Sequence, residues 1–153
     1  MRLKKSTDYA LRILIYLCQQ PEGFTTVAEA ASYHDISRNH ALKLVNAMAA
    51  EGIITTQRGK SGGIMLNTPP SQIRLGNIIQ ALEDNSLLSC CHSNSGCRYM
   101  AHCKLESVLN SAQQHLNDYL NRFTLADLIV SASPAQTSTN RPPAESPMQS
   151  LSD

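Results

Sequence analysis

The sequence predicts a mainly α-helical fold that contains one small β-hairpin and a long helix near its C-terminal end. Three observations support this prediction. Apolar residues recur at helical spacing in several segments, capping and turn residues separate these segments, and a glycine-rich turn lies between two short runs of strand-forming residues. At 153 residues the chain has the size of one domain with a helical extension, so one compact core should suffice.

Two helices are predicted at the start of the chain. The first covers residues 7–20, where apolar side chains recur at helical spacing and Thr7 is placed to cap the helix. Thr26 and Glu29 have the spacing of a capping box, in which each side chain bonds to the other residue's free backbone amide. A short second helix is therefore predicted over about residues 26–34.

A third helix and a hairpin follow. Ser37 can cap the third helix and Gly52 can end it. Its predicted inner face consists of Ala41, Leu44, Val45, Met48 and Ala49. Residues 53–56 and 64–66 are predicted strands, and the basic, glycine-rich segment 58–63 is the turn between them. Two helices joined by a tight turn and followed by such a hairpin predict a winged helix-turn-helix.

The second half of the chain predicts further helices. Residues 68–71 interrupt the chain, a helical pattern covers 73–82, and Thr124 is placed to cap a last short helix over 125–130. Between these segments, a helix of about 18 to 20 residues is expected beyond Cys103. Its apolar stripe consists of Leu105, Val108, Leu109, Ala112, Leu116, Tyr119, Leu120 and Phe123. A long helix at the end of a small domain has little of its own chain to cover it, so we expect a C-terminal dimerisation helix and a homodimer.

Composition suggests three parts. From residue 131 onward the chain is rich in Ser, Pro, Thr and Gln and lacks aromatic residues, so it cannot bury enough apolar area to offset its chain entropy. We expect a winged helix-turn-helix domain over 1–67, a cysteine-containing loop with dimerisation helices over 68–130, and a disordered tail over 131–153.

Charge and hydropathy restrict the class of protein. The formal net charge is +1, but residues 1–66 hold eight Lys and Arg against five Asp and Glu, a bias compatible with nucleic acid as partner. No apolar run approaches the roughly 18 residues of a membrane helix, and the N-terminus lacks the apolar core of an export signal. We therefore expect a soluble, cytoplasmic protein without membrane contact. No phosphate loop or nucleophile–base pair is recognisable, so an enzyme is not expected.

Polar and basic side chains are concentrated at the start of the third helix and at the hairpin tip. Such side chains can reach base edges and phosphates in the major groove, while wing cations lie along the neighbouring backbone. An ordinary solvated surface is the alternative, but helix, turn, helix and basic hairpin in consecutive order favour double-stranded operator DNA as partner. The candidate DNA-binding residues are Ser37, Arg38, Asn39, His40, Lys43, Arg58 and Lys60.

Four of the five cysteines lie in one short segment, where Cys91, Cys97 and Cys103 repeat at intervals of six residues. Three thiolates in a small loop need more positive charge than the local cations supply, and a metal centre provides it. The paired spacing typical of zinc is absent, whereas iron–sulfur sites accept wider spacing. We expect an iron–sulfur cluster, and we favour a 4Fe–4S cluster over a 2Fe–2S cluster. Cys90 is the alternative first ligand. The alternatives to a cluster are a disulfide-forming thiol switch and cysteines without a shared function. Cys18 is expected to be a small core residue.

With the DNA-binding pattern and the cysteine loop both in place, residues 1–130 resemble the family of winged-helix iron–sulfur repressors. The segments that carry the resemblance are 7–12, 37–40, 58–64, the cysteine loop and 124–128. The last of these, with residues 86–88, is most similar to the nitric-oxide-sensing branch. The resemblance implies a transcriptional repressor that senses nitric oxide and releases operator DNA on nitrosylation. The alternative is the branch that regulates iron–sulfur cluster assembly or redox state.

The resemblance also bears on the fourth cluster ligand. The assembly-regulating branch has a histidine three residues after the third cysteine, where this chain has Glu106. The nitric-oxide-sensing branch uses an N-terminal aspartate of the partner subunit, which corresponds to Asp8. A carboxylate at this position is also favoured by the helix macrodipole alone. His102 and Glu106 remain the alternatives to Asp8.

Overall fold

The computed structural model describes residues 3–20, 23–59, 62–83 and 104–129. The cysteine loop, Lys60 and the tail over 131–153 lie outside these ranges. The elements within them are α1 (Lys5–Cys18), α2 (Val27–Tyr33), α3 (Arg38–Ala50), β1 (Ile54–Gln57), β2 (Gly63–Leu66), a 3₁₀ turn (Pro70–Gln72), α4 (Leu75–Leu82), α5 (Lys104–Leu120) and a second 3₁₀ turn (Leu125–Leu128). The predicted mainly helical fold with one small hairpin is confirmed. No helix in these ranges is both long and apolar enough to cross a membrane.

The first helix begins two residues earlier than predicted, and Thr7 does not cap it. The N-cap of α1 is Lys4. Thr7 is fully buried inside the first turn, and its hydroxyl has no hydrogen-bond partner within the described part of the chain. Thr7, Ala10 and Leu14 lie on one buried face of the helix. Thr7, which the local pattern predicted as the cap, therefore packs in the core instead.

The helix-turn-helix has the predicted caps. The carboxylate of Glu29 accepts from the backbone N–H of Thr26 at 2.9 Å, and the Thr26 hydroxyl accepts from the N–H of Glu29 at 3.2 Å. The hydroxyl of Ser37 accepts from the N–H of His40 at 3.4 Å at the start of α3. Gly52 follows the helix end, as predicted. Local hydrogen bonds thus position both helices.

The two strands form an antiparallel hairpin in which Ile54 lies opposite Leu66. β1 lies one residue later than predicted, and β2 begins one residue earlier. Ile54 and Ile64 are buried, which ties the hairpin to the core. The N–H of Thr25 donates to the carbonyl of Ile64 at 3.0 Å, so the hairpin also pairs with the chain before α2.

One hydrophobic core joins α1, α2, α3, the hairpin, α4 and the final 3₁₀ turn. Its largest fully buried apolar side chains are Ile13, Leu14, Met48, Ile64, Ile78 and Leu125. Cys18 is half-buried and packs against this core, as predicted. Burial raises the pKa of its thiol to about 11, so the thiol stays protonated at neutral pH.

The C-terminal end of α5 is attached to α4. A side chain at Gly76 would come within 2.7 Å of the Asn117 carbonyl, so the two helices approach closely only because this residue is glycine. The side-chain oxygen of Asn121 accepts from the N–H of Asn77 at 3.1 Å. The predicted last helix is instead a short 3₁₀ turn, anchored where the N–H of Leu125 donates to the carbonyl of Ile73 at 2.9 Å.

Candidate nucleic-acid interface and cluster-binding residues

The exposed face of α3 carries the predicted DNA-binding side chains. Arg38, Asn39 and Lys43 are exposed there, and Ser37 is exposed at the N-cap. The opposite face packs into the core through Ala41, Leu44, Val45 and Met48. Leu42 and Asn46 share the exposed face and were missed by sequence reasoning, although their helical spacing from Arg38 and Asn39 would have found them. This face has the polar and apolar groups that base edges require.

His40 occupies a different place from the other residues of this set. It is half-buried, and its ring meets the ring of Tyr9 on α1 edge to face at a centroid distance of 5.4 Å. The ammonium of Lys5 lies 5.4 Å from the Tyr9 ring, and the guanidinium of Arg12 lies 6.0 Å from it. A basic and aromatic face of α1 therefore borders the start of α3. The signal for it was the spacing of Lys5, Tyr9 and Arg12 on one side of the helix.

The hairpin tip presents Arg58 to solvent. Gly59 has a φ of +111°, and a side chain at Gly62 would collide with the carbonyl of Gln57. The tight turn that exposes Arg58 therefore requires glycine at both positions. Lys60, the second predicted wing cation, lies outside the described residues.

Asp8 lies in the first turn of α1. Its carboxylate accepts from the guanidinium of Arg12 at 3.0 Å, and the two side chains are 47% and 51% exposed. Glu106 lies in the first turn of α5 and is half-buried. The other predicted ligands and alternatives lie outside the described residues: Cys90, Cys91, Cys97, His102 and Cys103. Within the ranges that the structure describes, no three His, Cys, Asp or Glu side chains form a metal-binding group.

Comparisons with known proteins agree with this fold. Among solved structures, the chain is similar to T. potens IscR, with 22% identity, 83% and 85% of the two chains covered and a TM-score of 0.65. It is also similar to CymR (YrzC), the global cysteine regulator of B. subtilis, with 24% identity, 84% and 95% coverage and a TM-score of 0.64. Staphylococcus aureus CymR matches at 22% identity, 80% and 93% coverage and a TM-score of 0.60. At these identities the likeness confirms the winged-helix fold alone.

A match to a family model establishes family membership, which the likeness to these structures does not. The model is described as Rrf2, iron-dependent transcriptional regulator, and it matches residues 3–131. The match covers both the winged helix-turn-helix and the long C-terminal helix. The chain therefore belongs to the Rrf2 family of transcriptional regulators.

Proposed function

We propose that the chain is a dimeric, cytoplasmic repressor of the NsrR type, which binds operator DNA and releases it in response to nitric oxide. One observation carries this proposal. Asp8, the candidate iron ligand, is next to Tyr9, and Tyr9 contacts His40 at the start of α3. The Asp8 carboxylate also bonds to Arg12, whose guanidinium lies 6.0 Å from the Tyr9 ring, so loss of that ion pair would alter the surroundings of the Tyr9–His40 contact.

The DNA-binding part of the proposal rests on the exposed face of α3. Arg38 and Asn39 are in its first turn, where a recognition helix contacts base edges, and Lys43 follows one turn later. Arg58 and Lys60 on the wing supply cations for phosphates of the adjacent backbone. We propose that Arg38 and Asn39 read sequence and that the wing cations supply affinity that does not depend on sequence.

The donor chemistry of the chain fits an iron–sulfur cluster. Cys91, Cys97 and Cys103 supply three thiolates, and the half-exposed carboxylate of Asp8 can extend beyond its own subunit. Cys18 does not fit, because its thiol is half-buried and protonated at neutral pH. When bound, a 4Fe–4S cluster supplies iron that reacts with nitric oxide.

Asp8 can bind either of two partners. In the structure its carboxylate bonds to Arg12 at 3.0 Å, so it must leave Arg12 in order to ligate iron held by the other subunit. Ligation by Asp8 would tie α1 of one subunit to the cysteine loop of its partner, and this tie would match the two heads to the half-site spacing. The released form removes that tie. A hundredfold loss of operator affinity requires a difference of only about 2.7 kcal/mol between the two states.

The test is the nitric-oxide response of an Asp8→Ala dimer prepared anaerobically. We expect the variant to keep its three thiolates, to bind operator more weakly than the native cluster-loaded protein, and to lose most of the change in affinity on nitric oxide treatment. Binding by cluster-free protein should stay unchanged. Asp118→Ala, an exposed residue of α5, is the control. A response of native size in Asp8→Ala would contradict the proposal and move the fourth ligand to His102 or Glu106.

A regulator of iron–sulfur cluster assembly or redox state is the second candidate, since it shares the fold and the similarity to T. potens IscR is compatible with it. The two candidates differ in the cluster-free protein. Cluster-free protein that binds a distinct operator tightly would support the assembly regulator. Loss of operator binding on treatment with nitric oxide supports the NsrR-type repressor.

A further inference from the structure

The first helix takes part of its N-terminal cap from a residue that is distant in sequence. The carboxylate of Glu83 accepts a hydrogen bond from the backbone N–H of Lys4 at 2.8 Å, across 79 residues of sequence. In a capping box this N–H is bonded by an acidic side chain three residues after the cap, as Glu29 does for Thr26 in α2. In α1 that position is Thr7, which is buried in the core. Glu83 therefore supplies the bond that Thr7 does not.

Two further features make this bond important for α1. Lys4 is the N-cap residue, and a lysine side chain has no acceptor for the free amides of the first turn. The charge of Glu83 also has the sign that the N-terminal end of a helix dipole favours. Glu83 thus helps both to satisfy the helix start and to hold it in place.

Glu83 follows the end of α4 and is the last described residue before the cysteine loop. Its backbone N–H donates to the carbonyl of Ile79 at 2.9 Å, so its own position depends on α4. Cys91, the first candidate ligand, comes eight residues later. Tyr9 lies one turn beyond the helix start, and its ring contacts the ring of His40 on α3 at a centroid distance of 5.4 Å. The bond therefore joins the base of the cysteine loop to the helix that packs on the DNA-binding helix.

We infer that Glu83 is a positioning residue that transmits the state of the cysteine loop to α1, and through Tyr9 to α3, within one subunit. Asp8 acts between subunits, whereas Glu83 acts within its own. A rearrangement of the loop that withdraws Glu83 uncaps α1 and loosens its contact with His40. The signalling part of this inference rests on the proposed function, while the capping part does not.

The first test is hydrogen exchange in cluster-free protein. The N–H of Asp8 makes the first intrahelical bond of α1, to the carbonyl of Lys4 at 3.1 Å. Glu83→Ala should raise the exchange rate of this amide and of the next two about fivefold, the effect of losing a typical cap. Glu83→Gln keeps an acceptor oxygen and should restore most of the protection. The matched control is Glu29→Ala, which removes the equivalent bond from α2 and should raise exchange there instead.

The second test is operator affinity of the Glu83→Ala, Tyr9→Leu and double variants, in cluster-loaded and cluster-free forms. We expect Glu83→Ala to lower the affinity of the loaded form about tenfold, and the double variant to lose less than the two single losses combined. Unchanged exchange in α1, or fully additive losses, would overturn the inference. If native protein holds no cluster while Glu83→Ala still changes exchange and cluster-free affinity, the proposed function fails and the capping role stands.

Discussion

At the scale of single residues, burial makes Cys18 unsuited to bind a metal. Cys18 packs against the hydrophobic core and keeps its proton, because burial raises the pKa of its thiol to about 11. A metal ligand must be a thiolate, so Cys18 is a poor donor. The remaining four cysteines lie within one segment from Cys90 to Cys103.

We predict that Cys91→Ala, Cys97→Ala and Cys103→Ala each abolish the cluster, because the loss of one of three protein thiolates opens the iron to solvent. Cys18→Ala should keep full occupancy, and Cys90→Ala should be nearly silent. Iron and sulfide analysis of anaerobically purified protein measures this. Full cluster occupancy in the Cys97→Ala protein would contradict the assignment of Cys97 as a cluster ligand.

DNA-binding side chains should differ according to what they contact. Arg38→Ala should relax sequence preference by about 1–3 kcal/mol, because the base-edge contact that we propose for Arg38 would be lost. Lys60→Ala should weaken binding to all duplexes alike and lower the salt slope by about one unit. Isotherms on operator and random duplex at several salt concentrations measure both effects. Arg122→Ala, a cation that stacks on Tyr119 instead, is the control, and native binding in both test variants would exclude this interface.

At the scale of elements, capping acids hold the starts of α2 and of the final 3₁₀ turn. Glu29 bonds to the backbone and hydroxyl of Thr26, and Asp127 bonds to the same groups of Thr124 at 2.7 and 2.8 Å. Hydrogen bonds from the backbone and then from the hydroxyl favour the ionised carboxylates and lower the pKa of both acids. Their stabilising effect is complete above the ordinary pKa values and is lost as the pH falls through the lowered values.

We predict that Glu29→Gln lowers the free energy of unfolding at neutral pH. The substitution should also make this free energy less dependent on pH below about 4.5, which is the ordinary pKa of a glutamate carboxyl. The reason is that the variant has no carboxylate at this position to protonate. Urea unfolding from neutral to acidic pH measures the effect. Glu51→Gln, an exposed residue after α3, is the control. Parallel curves for native and Glu29→Gln protein would show that the cap contributes nothing to acid stability.

At the scale of the whole molecule, α5 is attached at one end and exposed along one face. Asn121 and Gly76 fix its C-terminal end to α4. Leu105, Val108 and Tyr119 on the predicted stripe are 57%, 64% and 55% exposed in the single chain. Regulators of the Rrf2 family bind DNA and act as dimers. We expect this stripe to be the surface that a second copy covers.

We predict that Val108→Glu produces a folded monomer, because the side chain is exposed in the single chain but a charge on the stripe opposes pairing. Operator affinity should fall about a hundredfold or more, since two linked heads are lost. Sedimentation velocity and operator titration measure these changes. Gln114→Glu lies on the opposite face of α5 and should remain dimeric. A stable dimer of the Val108→Glu protein would place the interface elsewhere.

Local signals in the sequence were sufficient for most elements. The capping box of Thr26 and Glu29, the Ser37 cap and the Gly52 stop all lie where the pattern predicted them. These features depend on backbone groups within a few residues of each other, so spacing alone reveals them. The spacing of the loop cysteines and the exposed polar positions of α3 are likewise readable from the chain.

Contacts between distant segments decided the rest. Thr7 has a hydroxyl that could cap α1, but its side chain is buried in the core. Glu83, which is 79 residues away in the sequence, bonds to the backbone N–H of Lys4 at the helix start instead. His40 was predicted as a DNA-binding residue from its position on α3, and its contact with Tyr9 of α1 could not be predicted from that position. A helix was predicted over residues 125–130, but Leu125–Leu128 form a 3₁₀ turn, with Leu125 bonded to Ile73. In each case the neighbour that matters is distant in sequence, and packing or hydrogen bonding between distant segments exists only in the folded chain.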